Sequence, residues 1–297
     1  MKFGSSSGVE TLNVQELRNQ LGTRFFGVGN RLIYVPVVDS TNTLAMQLAQ
    51  EGSEEGVVVL TDSQTAGKGR QGRRWIDVSG RNVLSSTLLR PLFPPHLLVM
   101  VASLAVVNSI AETCGISATI KWPNDVLIGD RKVAGILIET SHDLSGRMVA
   151  ILGIGVNVNG RIEDLSEETG QAALQAPLTV IATTLETECG HRVSRELFIA
   201  HLLQHIETDY LALQQEAREA TETFSTLTST DKPISRLIRE RWRSQLSTLG
   251  RAVQVRQSDT LINGIAENVD DNGELLLRSH SGELVSITWG DVGYPIG

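Results

Sequence analysis

Cysteine is scarce in this 297-residue chain, which contains only Cys114 and Cys189. They are far apart and form neither a CxxC nor a Cys/His pattern, so the sequence indicates no disulfide framework and no zinc site. The longest apolar run, Leu97 to Val107, is well short of the ~20 residues that span a bilayer. The N-terminus MKFGSSSGVE has no apolar stretch typical of a signal peptide. A soluble, cytoplasmic protein is therefore expected.

An excess of positive charge is also missing, since 26 lysines and arginines stand against 34 aspartates and glutamates, which gives a net charge of -8. Binding to nucleic-acid phosphates depends on a surplus of basic residues on one face, so a surface devoted to nucleic acid is not expected. The chain has no internal repeat and no low-complexity tract. With 41% hydrophobic residues, it predicts a globular protein with a sizeable core.

The order of predicted elements divides the chain into three parts. Residues 1–30 carry one short helical pattern, Val14 to Leu21, and are interpreted as an N-terminal extension, too short for a helix-turn-helix domain. Strands and helices alternate through 31–247, which predicts an α/β catalytic domain with a mixed sheet. Short strands joined at the hairpin signals DNG and HSG follow, so 248–297 is predicted to form a small antiparallel barrel.

Two stretches within the middle part bear on where its helices lie. A long helix is predicted from about Pro95 to Cys114, because proline stands at its start and Gly115 just beyond its end. The polar stretch 212–235 permits two interpretations, a mobile linker or a frayed helix.

The most informative motif is the glycine-rich basic segment QTAGKGRQGRRW, residues 64–75, which follows the apolar strand VVVLTD. Its glycines let the backbone approach a ligand and its cations neutralise oxygens, so the segment is suited to enclosing a phosphate or carboxylate. An exposed basic turn is the alternative. A dinucleotide fingerprint is not indicated, because a strand pattern follows instead of a helix. A Walker A loop is excluded because Gly69, not serine or threonine, follows Lys68.

A second polar motif, KWPND, ends one predicted strand and is joined through a hairpin turn to Lys132. The turn brings Lys121 and Lys132 together, where two lysines can stabilise one anion. Solvated lysines on either side of a hairpin are the alternative. Asn124 and Asp125 stand at the carboxyl end of the first strand, where α/β sheets commonly bind ligands.

Two further segments permit a binding or a structural interpretation. In GIGVNVN, Gly153, Gly155 and Asn157 share one face of a strand, which is either open to a flat ligand or packed under a helix as a bulged strand. The segment DSTN, residues 39–42, precedes a helix. Its side chains either cap that helix or bind a urea-like ring, which needs donors and an acceptor at short range.

Taken together and in this order, DSTN, QTAGKGRQGRRW, KWPNDVLIGDRKVAGILIE and GIGVNVN closely resemble the biotin-protein ligase family, over roughly Val38 to Asn159. The resemblance implies a mixed α/β catalytic fold related to class II aminoacyl-tRNA synthetases, followed by an SH3-like barrel. It implies an enzyme that converts biotin and ATP to biotinyl-5′-AMP with Mg²⁺, and then transfers biotin to a lysine of a biotin carboxyl carrier protein.

The resemblance also assigns roles to individual residues by motif. Biotin would be bound by Ser40, Thr41, Asn42, Gln64, Lys68, Gly69, Arg70, Lys132 and Gly135. ATP or the adenylate would be bound by Arg73, Trp75, Lys121, Asn124, Asp125 and Asn157. The catalytic residues would be Lys132, Arg70 and Lys121. Mg²⁺ would be held mainly by the ATP phosphates, with Asp125 and Asn157 as candidate ligands.

The chain departs from the family pattern in the glycine-rich loop, where GRGR is usual and GKGR stands here, with Gln71 replacing a frequent further arginine. Lys68 keeps the charge but loses the planar fork that arginine offers to a carboxylate. Two alternative functions are a lipoate-protein ligase with the same adenylate chemistry and a biotin-sensing transcription regulator. The missing helix-turn-helix disfavours specific DNA binding. The oligomeric state stays open, with a homodimer as one alternative.

Overall fold

The computed structural model describes residues 10–162, 182–222 and 232–294. The main sheet contains β1 (Leu32–Val38), β2 (Val58–Gln64), β3 (Val83–Leu89), β4 (Thr119–Lys121), β5 (Asp125–Ile128), β6 (Arg131–His142) and β7 (Met148–Val156). The helices are α1 (Val14–Gln20), α2 (Thr41–Gln50), α3 (His96–Cys114), α4 (Leu185–Cys189), α5 (Arg195–Glu222) and α6 (Ile234–Ser244). A second sheet contains β8 (Ala252–Gln257), β9 (Thr260–Val269), β10 (Leu275–Arg278), β11 (Leu284–Ile287) and β12 (Asp291–Gly293).

The main sheet has the strand order β1-β2-β3-β7-β6-β5-β4. Strands β1 and β2 are parallel, and all other neighbours are antiparallel. The second sheet is antiparallel throughout, in the order β11-β10-β9-β8-β12. The predicted fold class, a mixed α/β sheet followed by a small antiparallel one, is confirmed.

Helix α3 forms the centre of the main core. Apolar residues surround it on nearly every side, and Val101, Ala102 and Val106 are fully buried. Gly115 ends the helix with φ 68°, a left-handed conformation that glycine adopts without strain, and its N–H donates to Ala111 O. By length and composition alone α3 would suffice to cross a membrane, but most of it is buried within the protein.

The N-terminal extension is bound into the main domain from residue 10 onward. Helix α1 packs on α5 through Leu17, which is fully buried. The backbone N–H groups of Arg24, Phe25 and Phe26 all donate to the buried carboxylate of Glu207 on α5, at 2.7 to 2.8 Å. One carboxylate therefore satisfies three backbone donors that the loop after α1 would otherwise leave unpaired.

We expect Glu207→Gln to lower the free energy of unfolding by about 2 kcal/mol, because the amide presents an N–H₂ group where a backbone donor needs an acceptor. Urea denaturation followed by circular dichroism measures this change. Glu283→Gln is the matched control, because Glu283 is exposed and its substitution should change stability by less than about 0.5 kcal/mol. Equal stabilities of the two variants would contradict the role given to Glu207.

The linker interpretation of 212–235 is wrong for its first half. Helix α5 continues to Glu222, and Leu213 and Gln214 are buried. The Gln214 side chain accepts from Leu92 N at 2.8 Å and donates to Arg90 O at 3.0 Å, so a polar residue anchors the helix to the domain. Residues 223–231 lie outside the described part of the chain.

The second sheet contacts the main domain at the KWPND turn. Trp122 Nε1 donates to Gly273 O at 2.9 Å, and Trp122 N donates to Thr248 Oγ1 at 2.9 Å. Gly273 has φ 80°, and a Cβ there would lie 2.5 Å from Met100 Cε. This close packing places the second sheet beside the polar motifs of the main domain.

Candidate functional site

A cleft with about 480 Å³ of empty volume lies between the start of α2, the glycine-rich loop and strands β3, β6 and β7. It brings together all of the residues to which the resemblance assigns biotin binding: Ser40, Thr41, Asn42, Gln64, Lys68, Gly69, Arg70, Lys132 and Gly135. These residues come from three of the four motifs, and Gly153 and Gly155 of the fourth motif also line the cleft. The tertiary structure therefore joins the four motifs in one concave site, as expected of a ligand pocket.

The glycine face of β7 is covered by side chains of the cleft itself. A Cβ on Gly155 would lie 2.5 Å from the Trp75 ring, and a Cβ on Gly153 would lie 2.2 Å from Asn42 Oδ1. The glycines therefore permit the close approach of Trp75 and Asn42. Trp75 Nε1 is buried and has no hydrogen-bond partner among the described residues.

The DSTN segment does not act mainly as a helix cap. Ser40 occupies the N-cap position of α2, but its side chain makes no capping hydrogen bond. Ser40, Thr41 and Asn42 are each buried. Thr41 N donates to Gln64 Oε1 at 2.9 Å, which joins the segment to the end of β2. These polar groups converge on the cleft.

A chain of polar contacts connects this segment to the glycine-rich loop. Ser86 Oγ lies 2.6 Å from Asn42 Oδ1, and Asn42 Nδ2 donates to Glu139 Oε2 at 2.8 Å. The other carboxylate oxygen of Glu139 pairs with Lys68 Nζ at 3.2 Å. Sequence reasoning missed Ser86, which lies outside the four motifs, and gave no role to Glu139, which ends the motif KWPNDVLIGDRKVAGILIE. No local signal pointed to the contacts of either side chain.

Three cations line the cleft: Lys68, Arg70 and Lys132. Arg70 Nη1 donates to Asn124 Oδ1 at 2.7 Å, and burial lowers the pKa of the Arg70 guanidinium. Lys132 Nζ pairs with Asp125 at 2.6 Å and lies 5.5 Å from the centroid of the Trp75 ring. Cations concentrated in a partly buried site favour an anionic group such as a carboxylate or a phosphate.

The glycine-rich loop is a closed turn with defined internal bonds. Gly69 N donates to Arg73 O at 2.7 Å, and Trp75 N donates to Gly67 O at 3.0 Å. A Cβ on Gly67 would lie 2.5 Å from Trp75 O, so the two arms of the turn approach too closely for a side chain. Gln71 adopts φ 56°, a left-handed conformation uncommon for residues other than glycine. The segment is more than an exposed basic turn, because Lys68 pairs with Glu139 and Arg70 donates to Asn124.

Four residues assigned to ATP lie outside the lining of this cleft: Arg73, Lys121, Asp125 and Asn157. Arg73 pairs with Asp291 of the second sheet at 2.5 Å. Lys121 Nζ lies 5.3 Å from the Tyr294 ring, and burial lowers the pKa of its ammonium group. Asn157 Nδ2 donates to Thr183 O at 3.1 Å. Trp75 and Asn124 do line the cleft. Lys121 does not line this cleft, although after burial its pKa is also raised by neighbouring Asp125 and lowered by neighbouring Lys132.

A second groove, with about 1080 Å³ of empty volume, continues from the first toward the second sheet. The two share Arg70, Asn124, Ile136 and Leu137. Its outer wall includes Trp242, Gly273 and Thr288, of which the last two belong to the C-terminal part of the chain. Asp291, another residue that sequence reasoning missed, reaches the glycine-rich loop from the same side. The C-terminal sheet therefore forms part of the surroundings of the site.

Comparisons with known proteins agree with this geometry. Residues 34–159 match the model of the biotin/lipoate A/B protein ligase family, and residues 248–292 match that of the biotin protein ligase C-terminal domain. The bifunctional ligase/repressor BirA of Bacillus subtilis is 35% identical over 91% of this chain and 76% of that protein. The biotin--[acetyl-CoA-carboxylase] ligase of Paracoccus denitrificans is 34% identical over 83% of this chain and 94% of that protein. A biotin protein ligase from Aquifex aeolicus, solved with biotin and ATP, has a TM-score of 0.68 and 26% identity over 88% of this chain and 97% of that one.

Proposed function

Since the chain belongs to the biotin protein ligase family, we propose that it activates biotin with ATP and transfers the biotinyl group to a lysine of a biotin carboxyl carrier protein. The observation that carries this proposal is the first cleft. It combines buried amide and hydroxyl groups with three cations in one pocket. Biotin needs both, because its ureido ring is polar but neutral and its valeryl chain ends in a carboxylate.

Recognition of the ureido ring is assigned to Ser40, Thr41 and Gln64. Gln64 Oε1 already accepts from Thr41 N, so the amide keeps its Nε2 for donation to the ureido carbonyl. Hydroxyl groups can then accept from the ring N–H groups, because a hydroxyl both donates and accepts. A long apolar dithiolane chain would leave these buried polar groups unpaired, which costs binding energy. The polar lining therefore favours biotin over lipoate.

Activation is a displacement at the α-phosphorus of ATP. A carboxylate oxygen of biotin attacks this phosphorus, pyrophosphate leaves, and a mixed anhydride between biotin and AMP results. Lys132 and Arg70 lie in the cleft where they can stabilise the charge on the transferring group and hold the reactants in line. The lysine amine of the acceptor then attacks the acyl carbon, and AMP leaves.

We propose that Mg²⁺ binds together with ATP, on the side of the site where Asp125 pairs with Lys132. Among the described residues, no group of three or more histidine, cysteine, aspartate or glutamate side chains could hold a metal ion. A Mg²⁺ ion held mainly by ATP phosphates needs few protein ligands, and the Asp125 carboxylate is of the right type. When bound, the ion would neutralise the phosphate oxygens. We propose Asp125 and Asn157 as its protein ligands.

Exchange of labelled pyrophosphate into ATP tests the proposed activation. We expect exchange with biotin, ATP and Mg²⁺, and none when biotin is omitted or replaced by lipoate. Folded protein that fails to exchange with biotin would refute the proposal. Exchange with lipoate alone would favour the lipoate-protein ligase instead.

We expect Glu139 to position Asn42 and Lys68 for biotin binding. Glu139→Gln keeps an acceptor for Asn42 Nδ2 and loses only a part-exposed ion pair, so biotin affinity should fall by less than about fivefold. Glu139→Ala also releases Asn42, which should weaken binding by about a further fivefold, the effect of one hydrogen bond. Isothermal titration of both variants measures the difference. Equal affinities would show that Glu139 does not hold Asn42.

We propose that the protein acts in the cytoplasm and binds no specific DNA sequence. Residues 10–31 contribute one α-helix of seven residues, and its buried Leu17 packs it against α5 rather than leaving it free to enter a groove. The net charge of -8 supports the same conclusion. A sequence-selective complex at physiological salt, with biotin and ATP present, would contradict it.

A further inference from the structure

The aromatic ring of Tyr294, the last residue that the structure describes, contacts two cations. Tyr294 directly follows β12 and packs against the main core. The centroid of its ring lies 3.6 Å from Arg251 Cζ and 5.3 Å from Lys121 Nζ. Both distances are within the ~6 Å over which an aromatic face attracts a cation. The C-terminal part of the chain therefore reaches Lys121, a residue of the main sheet, through this ring.

The neighbours of the Tyr294 ring fix its position. Arg251, which lies over the ring, also pairs with Asp130 at 3.0 Å, in the turn between β5 and β6. The Tyr294 hydroxyl is buried and has no hydrogen-bond partner among the described residues. Tyr294 thus contributes its ring, and not its hydroxyl group, to the contacts that the structure shows.

Lys121 stands beside the part of the site where the proposed reaction places the ATP phosphates. It ends β4 and is the cross-strand neighbour of Asp125 on β5. Asp125 in turn pairs with Lys132, which lines the first cleft. Because the biotin carboxylate meets the α-phosphate beside Lys132, the remainder of the triphosphate must extend out of the biotin cleft. Lys121 is a cation just outside that cleft and can bind these phosphates.

The ring holds Lys121 differently from the way in which the other two lysines of the site are held. Lys68 pairs with the carboxylate of Glu139. Lys132 pairs with the carboxylate of Asp125. A carboxylate partner offsets the charge of a lysine, whereas an aromatic ring attracts the ammonium group through its quadrupole and has no net charge. The ring itself can therefore hold Lys121 in place without neutralising it.

We propose that Tyr294 is a positioning residue for ATP, whose ring holds the Lys121 ammonium group where it binds the phosphates. This role rests on the proposed ligase function, which it deepens by assigning a residue of the C-terminal part to the ATP side of the site. Loss of the ring should weaken the use of ATP and spare the use of biotin, because Lys121 does not line the biotin cleft.

The test measures the KM of the full-length protein for ATP and for biotin, by biotin-dependent exchange of labelled pyrophosphate into ATP. We expect Tyr294→Leu to raise the KM for ATP by about 3- to 30-fold, the effect of one cation–π contact. The KM for biotin should stay within about twofold of the parent value. Tyr294→Phe is the matched control, because it keeps the ring and loses only the unpaired hydroxyl, so both KM values should match the parent.

A double-mutant cycle shows whether Tyr294 acts through Lys121. Lys121→Met removes the charge, keeps a long side chain and should itself raise the KM for ATP. Tyr294→Leu added to Lys121→Met should then raise this KM by less than about twofold further, because the contact is already lost.

Four results would overturn the role of Tyr294 in an active parent protein. They are a parent-like KM for ATP in Tyr294→Leu, an equal rise in the KM for biotin, a Tyr294→Phe variant as impaired as Tyr294→Leu, and the full effect of Tyr294→Leu in the Lys121→Met background. A folded parent protein without biotin-dependent exchange would instead refute the ligase function, and the role of Tyr294 with it.

Discussion

Arg70→Gly should release biotinyl-5′-AMP into solution before the acceptor lysine reacts. The substitution removes the hydrogen bond from Arg70 Nη1 to Asn124 and one of the three cations that line the cleft. It also adds backbone freedom to a turn that already contains Gly69 and Gly72. Biotin affinity should fall by about 1.5 to 3 kcal/mol, the range for a charged hydrogen bond, which is roughly 10- to 150-fold.

Escaped adenylate acylates any exposed amine, so bystander proteins should become labelled. Titration calorimetry measures the affinity, and streptavidin blotting of an added bystander protein measures the release. Lys68→Ala is the control, because Lys68 binds as a point charge and pairs with part-exposed Glu139, so affinity should fall with less bystander labelling. If Arg70→Gly keeps the parent affinity and labels no bystander, Arg70 does not retain the adenylate.

Lys132→Ala should slow adenylate formation by about 100-fold or more, while ATP binding changes little. An ammonium group whose interaction strengthens as negative charge develops lowers the barrier of the chemical step. Loss of one such donor typically lowers the rate of that step by about 100- to 1000-fold. Lys132 is placed for this role, because it lines the cleft and packs beside the Trp75 ring. Single-turnover formation of the adenylate measures the chemical step, and equilibrium titration measures ATP binding.

The matched control is Lys232→Ala, because Lys232 is an exposed lysine that pairs with Glu240 at the surface. Its removal should leave the single-turnover rate unchanged. A parent-like rate for Lys132→Ala would remove Lys132 from the active site. A large loss of ATP affinity would instead assign it to nucleotide binding.

Local patterns in the sequence determined the elements and most of the first cleft. The bounds of α3 followed from an apolar run between Pro95 and Gly115, because each end of a helix favours particular residues. The hairpin at Gly129 and Asp130 followed from turn chemistry, and it placed Lys132 beside β5. The four motifs contain most of the residues that line the cleft, because polar side chains and glycines stand together in each of them.

Contacts between distant segments had no such local signal. Glu139 is one of many polar residues on a long strand until folding brings Asn42 and Lys68 to its two oxygens. Asp291 stands near the end of the chain, and only the packing of the second sheet brings it to Arg73. The polarity of 212–222 left a linker and a frayed helix as alternatives, and tertiary hydrogen bonds of Gln214 hold this stretch as helix.

One physical reason explains why local patterns were predicted from the sequence and contacts between distant segments were not. Helix limits, turns and glycine-rich loops are set by the backbone preferences of adjacent residues, so the sequence by itself determined the secondary structure and the motifs that form the cleft. Which side chains then meet depends on how the elements pack, and packing is decided by the whole core. Only the tertiary structure therefore gave Glu139 its two partners and brought Asp291 to Arg73.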